Sequence, residues 1–187
     1  MKKLLAYAEP EDTVVVWRID RLGRSLIDVL NTVNLLRDRG YTTTIEHARH
    51  YLDLQRIAGR TVEEVRAKQR QFQRGVLDMQ LAEEAALDPD ATVFLDRAVP
   101  DSLAYYRFLD LEPDPALLTA LEHVDYRTTF ILDLLPLAAD YARTEDTAAQ
   151  QRIHELLTQV YEALPFPVVR VPVLSAEERV QFILDRL

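Results

Sequence analysis

The sequence predicts an α/β fold built on a mainly parallel sheet of about five strands, with helices on both faces. Three observations carry that expectation. Runs of β-branched and apolar residues recur at 13–19, 41–45, 93–95, 128–132 and 165–172, separated by stretches of helical periodicity. Most of these runs lack polar alternation, as strands buried on both faces do. Strand and helix then alternate along the chain, the order that gives a parallel sheet with helical crossovers.

Taken in order, Met1–Ala8 is a short helical lead-in closed at Glu9-Pro10-Glu11-Asp12, where proline and acids favour a turn. Thr13–Ile19, TVVVWRI, is the first strand. Asp20–Ser25 follows as a loop, and Ser25 is placed to cap a helix with apolar positions Leu26, Val29, Leu30, Val33 and Leu36. Gly40 ends that helix. Tyr41–Ile45 is a second strand ending at Glu46, and His47–Ile57 reads as a helix broken at Gly59. A single long helix is expected from about Thr61 to Leu87. Thr61 and Glu64 have the spacing of a capping box, and Val62, Val65, Phe72, Val76 and Met79 form its apolar stripe. In Thr92–Tyr106 an apolar strand, Val93–Leu95, stops at Asp96-Arg97 and a helix restarts around Pro100-Asp101. Pro113–Leu121 is a short helix, and Thr128–Leu132, TTFIL, is a fourth strand ending in Asp133. Leu134–Arg143 is irregular and leads into a helix from about Glu145 to Leu164. Pro165–Pro172 is the last strand, and Ser175 with Glu178 opens a closing helix.

The 187 residues are 48% hydrophobic, enough for a single core. Twenty-two Lys and Arg against 31 Asp and Glu leave a net charge of −9. That balance argues against a uniformly basic surface coating nucleic acid, while leaving room for a local basic site. The absence of cysteine excludes disulfides and thiolate metal sites. No apolar run approaches the roughly 20 residues of a membrane span, and MKKLLAYAEPEDT turns acidic too soon for a secretory signal. A cytoplasmic protein without membrane contact is the expectation.

Three strands should bring charge to one rim: Asp20-Arg21 from the first, Glu46 from the second and Asp96-Arg97 from the third. Ligands of open α/β sheets bind outside the carboxyl ends of the strands. Carboxylates beside arginines suit phosphoryl transfer, in which acids position a hydroxyl or Mg²⁺ and cations neutralise the phosphoryl oxygens. A helix opening at Ser25 adds free backbone N–H groups for an anion. The alternative for Asp96-Arg97 is a solvated surface turn. A P-loop, G-x-x-x-x-G-K-[ST], is matched only at its end by Gly23-Arg24-Ser25. Arg18 stands in place of the first glycine, and arginine replaces lysine. Arg66, Lys68, Arg70 and Arg74 on the long helix either meet phosphate or form a solvated face balanced by Glu63 and Glu64. His47 and His50, three apart, could share a helix face, but no third metal ligand lies nearby in sequence. His123 and His154 read as ordinary partly exposed residues.

From about Tyr41 to Leu187 the chain resembles the small P-loop AAA-type ATPases related to the ribosylnicotinamide kinase domain. The matching pieces are Glu46-His47-Ala48-Arg49, MQLAEEAAL, VFLDRAVPDSLAYYRFL, Tyr141-Ala142-Arg143-Thr144-Glu145 and VPVLSAEERVQFIL. The resemblance implies a three-layer P-loop NTPase-like fold with ATP and Mg²⁺ as cofactors and a small-molecule phosphate acceptor. It implies Glu46, Asp96 and Arg97 as the catalytic group, with Asp96 organising the metal. Arg97 and Arg49 would contact substrate or phosphate, Asp101 would lie on the substrate side, and Arg143 and Arg152 would be lid cations on phosphate. A phosphate loop of that family's pattern should precede Tyr41 and is missing there.

Met1–Gly40 instead resembles a serine recombinase of the resolvase and invertase type, through VVVWRIDRLGRSLIDVLNTVNLLRDRG. Asp20, Arg21 and Arg24 fall on that family's active-site motif, whose arginines bind the scissile phosphate. The strand carrying its nucleophilic serine has no counterpart, and Ser25 lies in the wrong place to substitute. The expected organisation is one α/β domain over 1–187, in which a recombinase-like strand, loop and helix at 1–40 precede an ATPase-like remainder at 41–187. The expected function is an ATP-binding P-loop NTPase or small-molecule kinase-like protein with a degenerate phosphate loop, Arg21, Gly23, Arg24 and Ser25, and weak or lost activity. The alternatives are a recombinase-derived DNA-binding fragment lacking its nucleophile, or an inactive fusion product.

Overall fold

Five parallel strands form one sheet in the order β2-β3-β1-β4-β5. The strands are β1 (Thr13–Trp17), β2 (Thr42–Thr43), β3 (Val93–Asp96), β4 (Thr128–Leu132) and β5 (Val168–Val171). This computed structural model describes residues 13–17, 34–88, 90–134 and 146–187. In register, Val15 of the central β1 stands opposite Leu95 on one side and Thr129 on the other. A helix, α1, covers residues 34–38. The others are α2 (His47–Ile57), α3 (Val62–Ala67), α4 (Gln69–Ala85), α5 (Val99–Phe108), α6 (Pro115–Leu121), α7 (Thr147–Glu162) and α8 (Ala176–Leu184).

Successive strand residues point to opposite faces of a sheet, and here both faces are covered. Phe94, Phe130 and Leu132 pack with Leu36 of α1 and with Val180, Ile183 and Leu184 of α8. On the other face Ile131 packs among Ala104 of α5 and Ile153, Leu156, Leu157 and Val160 of α7. Val93 and Leu95 lie on that side with Ala98 and Tyr126. The result is the three-layer arrangement the alternation predicts, and it explains why every residue of β3 and β4 is buried without polar alternation.

The glycine stops act as predicted. Gly40 has φ +89, its N–H donates to Arg37 O at 2.8 Å, and the Tyr41 N–H donates to Leu36 O at 3.1 Å. Gly59, φ +85, repeats the pattern with Arg56 and Gln55 as acceptors. Both are Schellman turns, whose left-handed residue glycine adopts without steric cost. The capping boxes at Thr61–Glu64 and Ser175–Glu178 are also present.

Two expectations are corrected. The long helix is two helices, α3 and α4, broken at Lys68 (φ −98, ψ 59). Val65 and Phe72 stay in phase across the break and both pack on Leu52 of α2, so periodicity alone conceals it. The second strand is only two residues long, because the chain leaves the edge at Thr44, whose Oγ1 accepts the Asp96 N–H at 2.9 Å. The lead-in Met1–Ala8, the loop Asp20–Ser25 and most of Leu134–Arg143 lie outside the described residues. Among the described residues no helix is long and apolar enough to cross a membrane.

Candidate functional site

A parallel sheet sets all its carboxyl ends on one edge, and at that edge β2 and β3 run into α2 and α5. Glu46 occupies the N-cap position of α2 but makes no side-chain cap bond. Its carboxylate turns instead to arginines. Oε1 lies 3.4 Å from Nη1 of Arg97, and Oε2 lies 3.8 Å from Nε of Arg49. The side chains of Glu46 and Arg97 are each 10% exposed and that of Arg49 17%. One carboxylate therefore bridges two guanidinium groups in a largely water-excluded place, where charge interactions are strong. Arg97 follows β3 with φ 68, a conformation uncommon for a residue other than glycine. From there its Nη1 donates to the Tyr105 hydroxyl at 3.1 Å, and its guanidinium lies 5.5 Å from the centre of that ring.

Asp96, one residue earlier, is 4% exposed at the end of β3. Among the described residues no three His, Asp or Glu side chains gather as a metal cage. Mg²⁺ is commonly held by one or two carboxylates together with substrate phosphates, and Asp96 is a carboxylate that this rim offers at the end of β3. His47 opens α2, buried, with Nε2 against the Glu83 carboxylate of α4. Burial holds its pKa below the ordinary 6.5, against the opposing pull of Glu83 and Glu46. Its charged neighbour is thus a carboxylate.

Behind the rim, side chains grip the backbone that follows Arg97. Gln80 of α4 donates Nε2 to the Ala98 carbonyl at 3.1 Å and accepts Ser102 Oγ–H at 2.7 Å. Glu84, one turn along α4, accepts the Val99 N–H at 3.0 Å and the Tyr126 hydroxyl at 2.8 Å on its two oxygens. Asp101 accepts the Ala98 N–H at 3.1 Å and the Tyr161 hydroxyl. Burial pushes the Glu84 carboxyl from 4.5 up to about 7, reinforced by Asp101 and Glu83 and opposed by its two hydrogen bonds. The Tyr126 and Tyr161 hydroxyls are pushed well above 10, chiefly by burial.

Of the residues the sequence singled out, Glu46, Asp96 and Arg97 lie at the carboxyl ends of β2 and β3 or in the turn that follows, and Arg49 lies in the first turn of α2. Asp101, expected on the substrate side, is 1% exposed and supports the start of α5. Arg152 projects from α7, 57% exposed, with Glu155 at 3.6 Å. Arg21, Gly23, Arg24, Ser25 and Arg143 lie outside the described residues. On α4, Arg70 donates to the Glu112 carbonyl at 3.1 Å, and Arg74 bridges Asp78 and Asp114. These two cations fasten α4 to the α6 end of the fold, with acids other than the Glu63 and Glu64 that the sequence suggested. Sequence reasoning missed Gln80, Glu84, Tyr126 and Tyr161. The available signal was a pair of polar residues four apart in MQLAEEAAL, which share one helix face. A separate open cleft of about 420 Å³, lined by Tyr51, Arg60, Lys68 and Phe72 among others, sits at the far end of α2. At 1.5 Å per residue its eleven residues put that end roughly 16 Å from Glu46.

A β2-β3-β1-β4-β5 parallel sheet between two helical layers, with acids and arginines at its carboxyl edge, defines a P-loop NTPase-like α/β protein. A family model described as an AAA domain matches residues 31–179, and the chain belongs to that family. The match starts ten residues before Tyr41, where the sequence reading set it. Among solved structures the chain is similar to one titled "Crystal structure of NadR protein in complex with NR". The TM-score is 0.61 at 17% identity, covering 94% of this chain and 50% of that one, a level that shows the fold alone. Over 40 residues, 21% of its length, the chain is also 48% identical to the Transposon Tn552 resolvase of Staphylococcus aureus. Over 40 residues it is 50% identical to a DNA-invertase of Escherichia phage P1. It spans about a fifth of the length of these curated relatives, 20% and 22%. Both resemblances read from the sequence are borne out.

Proposed function

We propose that this chain binds ATP with Mg²⁺ at the carboxyl rim of its sheet, and that phosphoryl transfer to a small-molecule acceptor is weak or lost. The observation that carries this reading is the Glu46 carboxylate spanning Arg97 and Arg49 at the ends of β2 and β3. The trio carries a net positive charge, and forked guanidinium groups match phosphate oxygens. Arg97 and Arg49 would take the phosphates, and Asp96 would hold Mg²⁺ jointly with them. Glu46 would orient the attacking hydroxyl, and Arg143 and Arg152 would close over the ligand. The residues after the central β1, Arg21, Gly23, Arg24 and Ser25, would stand in for the phosphate loop. The central position of β1 supports reading 1–40 and 41–187 as parts of one α/β domain. Weak turnover follows from that loop's composition, since Arg18 and Arg24 replace the glycine that lets backbone wrap phosphate and the lysine that reaches it.

Equilibrium binding of Mg²⁺-ATP to Arg97→Ala tests the reading. A loss of about tenfold or more is expected, about 1.4 kcal/mol, while Arg170→Ala, on an exposed pair with Glu162, leaves affinity unchanged. Wild-type affinity in Arg97→Ala would sink it. The recombinase-like 40 residues support a second reading, contact with DNA phosphates through Arg21 and Arg24. Salt-dependent binding of duplex DNA at low ionic strength is its test, and no binding there removes it.

A further inference from the structure

We propose that Glu84, assisted by Gln80 and Asp101, is a positioning residue of this site, holding the turn after β3 so that Arg97 presents its guanidinium at the rim, and that its charge state governs that presentation. The anionic ligand served by Arg97 rests on the nucleotide reading above; the coupling between Glu84 and Arg97 does not.

Arg97 sits in left-handed backbone geometry that L residues seldom adopt. Such a conformation persists where its surroundings over-determine it, and here the three backbone groups after it are each held by a side chain. The Ala98 N–H goes to Asp101, the Ala98 carbonyl to Gln80 and the Val99 N–H to Glu84. Two of the three grips come from one face of α4 and the third from α5. A simple helix start needs a single cap; this turn has three holds immediately beside one strained arginine.

The identity of residue 84 adds the charge dependence. Glu84 receives two donors, the Val99 N–H and the Tyr126 hydroxyl, one on each oxygen. The ionised carboxylate accepts both. Once protonated, one oxygen carries a hydrogen. On Oε1 it meets the Val99 N–H, which cannot reverse, and on Oε2 it meets the Tyr126 hydroxyl, which turns to accept it, so in either case the pattern of holds rearranges. The groups facing Glu84 are Asp101 of α5, Glu83 of α4, Tyr126 ahead of β4 and, beyond Asp101, Tyr161 of α7. His47 of α2 lies beyond Glu83. Burial among these groups puts the titration at about 7, so the rearrangement falls in the neutral range.

The experiment follows the Arg97 Nε–Hε and Val99 amide NMR signals from pH 5.5 to 8.5 in wild type, Glu84→Gln and Tyr126→Phe, with Mg²⁺-ATP affinity measured alongside. In wild type both signals move with one midpoint near 7, and ATP affinity falls severalfold below it. In Glu84→Gln that step disappears. In Tyr126→Phe, which loses a bond favouring the charged carboxylate, the midpoint rises. An Arg97 signal that is flat in wild type, or that titrates unchanged in Glu84→Gln, overturns the proposal. ATP binding with an Arg97 signal independent of Glu84 refutes positioning and leaves the nucleotide reading intact. Coupled titration without ATP binding supports positioning and refutes the nucleotide reading.

Discussion

Glu84→Gln also has a calculable effect on the stability of the fold. The carboxyl titrates at 4.5 when free in solvent and at about 7 in the folded chain, where burial outweighs the two hydrogen bonds that favour its charge. At 1.36 kcal/mol per pH unit, ionising Glu84 costs the folded state up to about 3 kcal/mol relative to the unfolded one. The direction follows from proton binding. Between pH 4.5 and 7 the folded chain holds the proton more tightly than the unfolded chain, so Glu84's contribution is complete below 4.5 and is lost as pH rises through about 7. Glutamine keeps the acceptor for Val99 and never ionises. Urea unfolding of both proteins from pH 5 to 8 should therefore show the variant gaining on wild type with rising pH, levelling off above 7. A full effect of about 3 kcal/mol moves the urea midpoint by on the order of 1 M or more. A stability difference that is constant across this range, or that shrinks as pH rises, would refute the reasoning.

Two further outcomes follow from single contacts. Glu46→Gln removes the carboxylate that occupies Arg97 and Arg49, so inorganic pyrophosphate should bind more tightly to the variant than to wild type in fluorescence or calorimetric titration; weaker binding would argue that Glu46 is no counterion of this pair. Gly75 lies in α4 where an added Cβ would stand 2.1 Å from Cε2 of Tyr51. Gly75→Ala should destabilise by about 1–3 kcal/mol through overpacking, despite gaining up to about 1 kcal/mol of helix propensity. In a Tyr51→Ala background the same change should stabilise, and a double-mutant cycle of thermal or urea unfolding reads the reversal.

Much of the fold was legible because its signals are local. TTFIL at 128–132 consists of β-branched and large apolar residues with no charged side chain, since both faces of β4 are covered, and the strand has those bounds. Gly40 and Gly59 end helices because their positive φ is glycine's alone to adopt freely. The rim was legible for a topological reason: parallel strands share one carboxyl edge, which carries the acids and arginines ending β2 and β3 to the same side. What stayed hidden depends on distant partners or on a dihedral angle. The break at Lys68 keeps the apolar stripe in phase and has no glycine or proline to mark it. Asp101 read as a substrate contact because Tyr161, which takes its carboxylate, is sixty residues away. Glu84 reads as one acid in a charged helix until Val99 and Tyr126, fifteen and forty-two residues distant, are folded against it. Nothing in Asp96-Arg97 as a dipeptide announces the left-handed arginine.

The most direct test of nucleotide binding at this rim is titration calorimetry of Mg²⁺-ATP into the wild-type chain and Arg24→Ala. If the residues that follow β1 bind phosphates, wild type binds in the micromolar range and the variant loses about tenfold or more, about 1.4 kcal/mol. No heat of binding at millimolar ATP, or equal affinity in the two proteins, would contradict it.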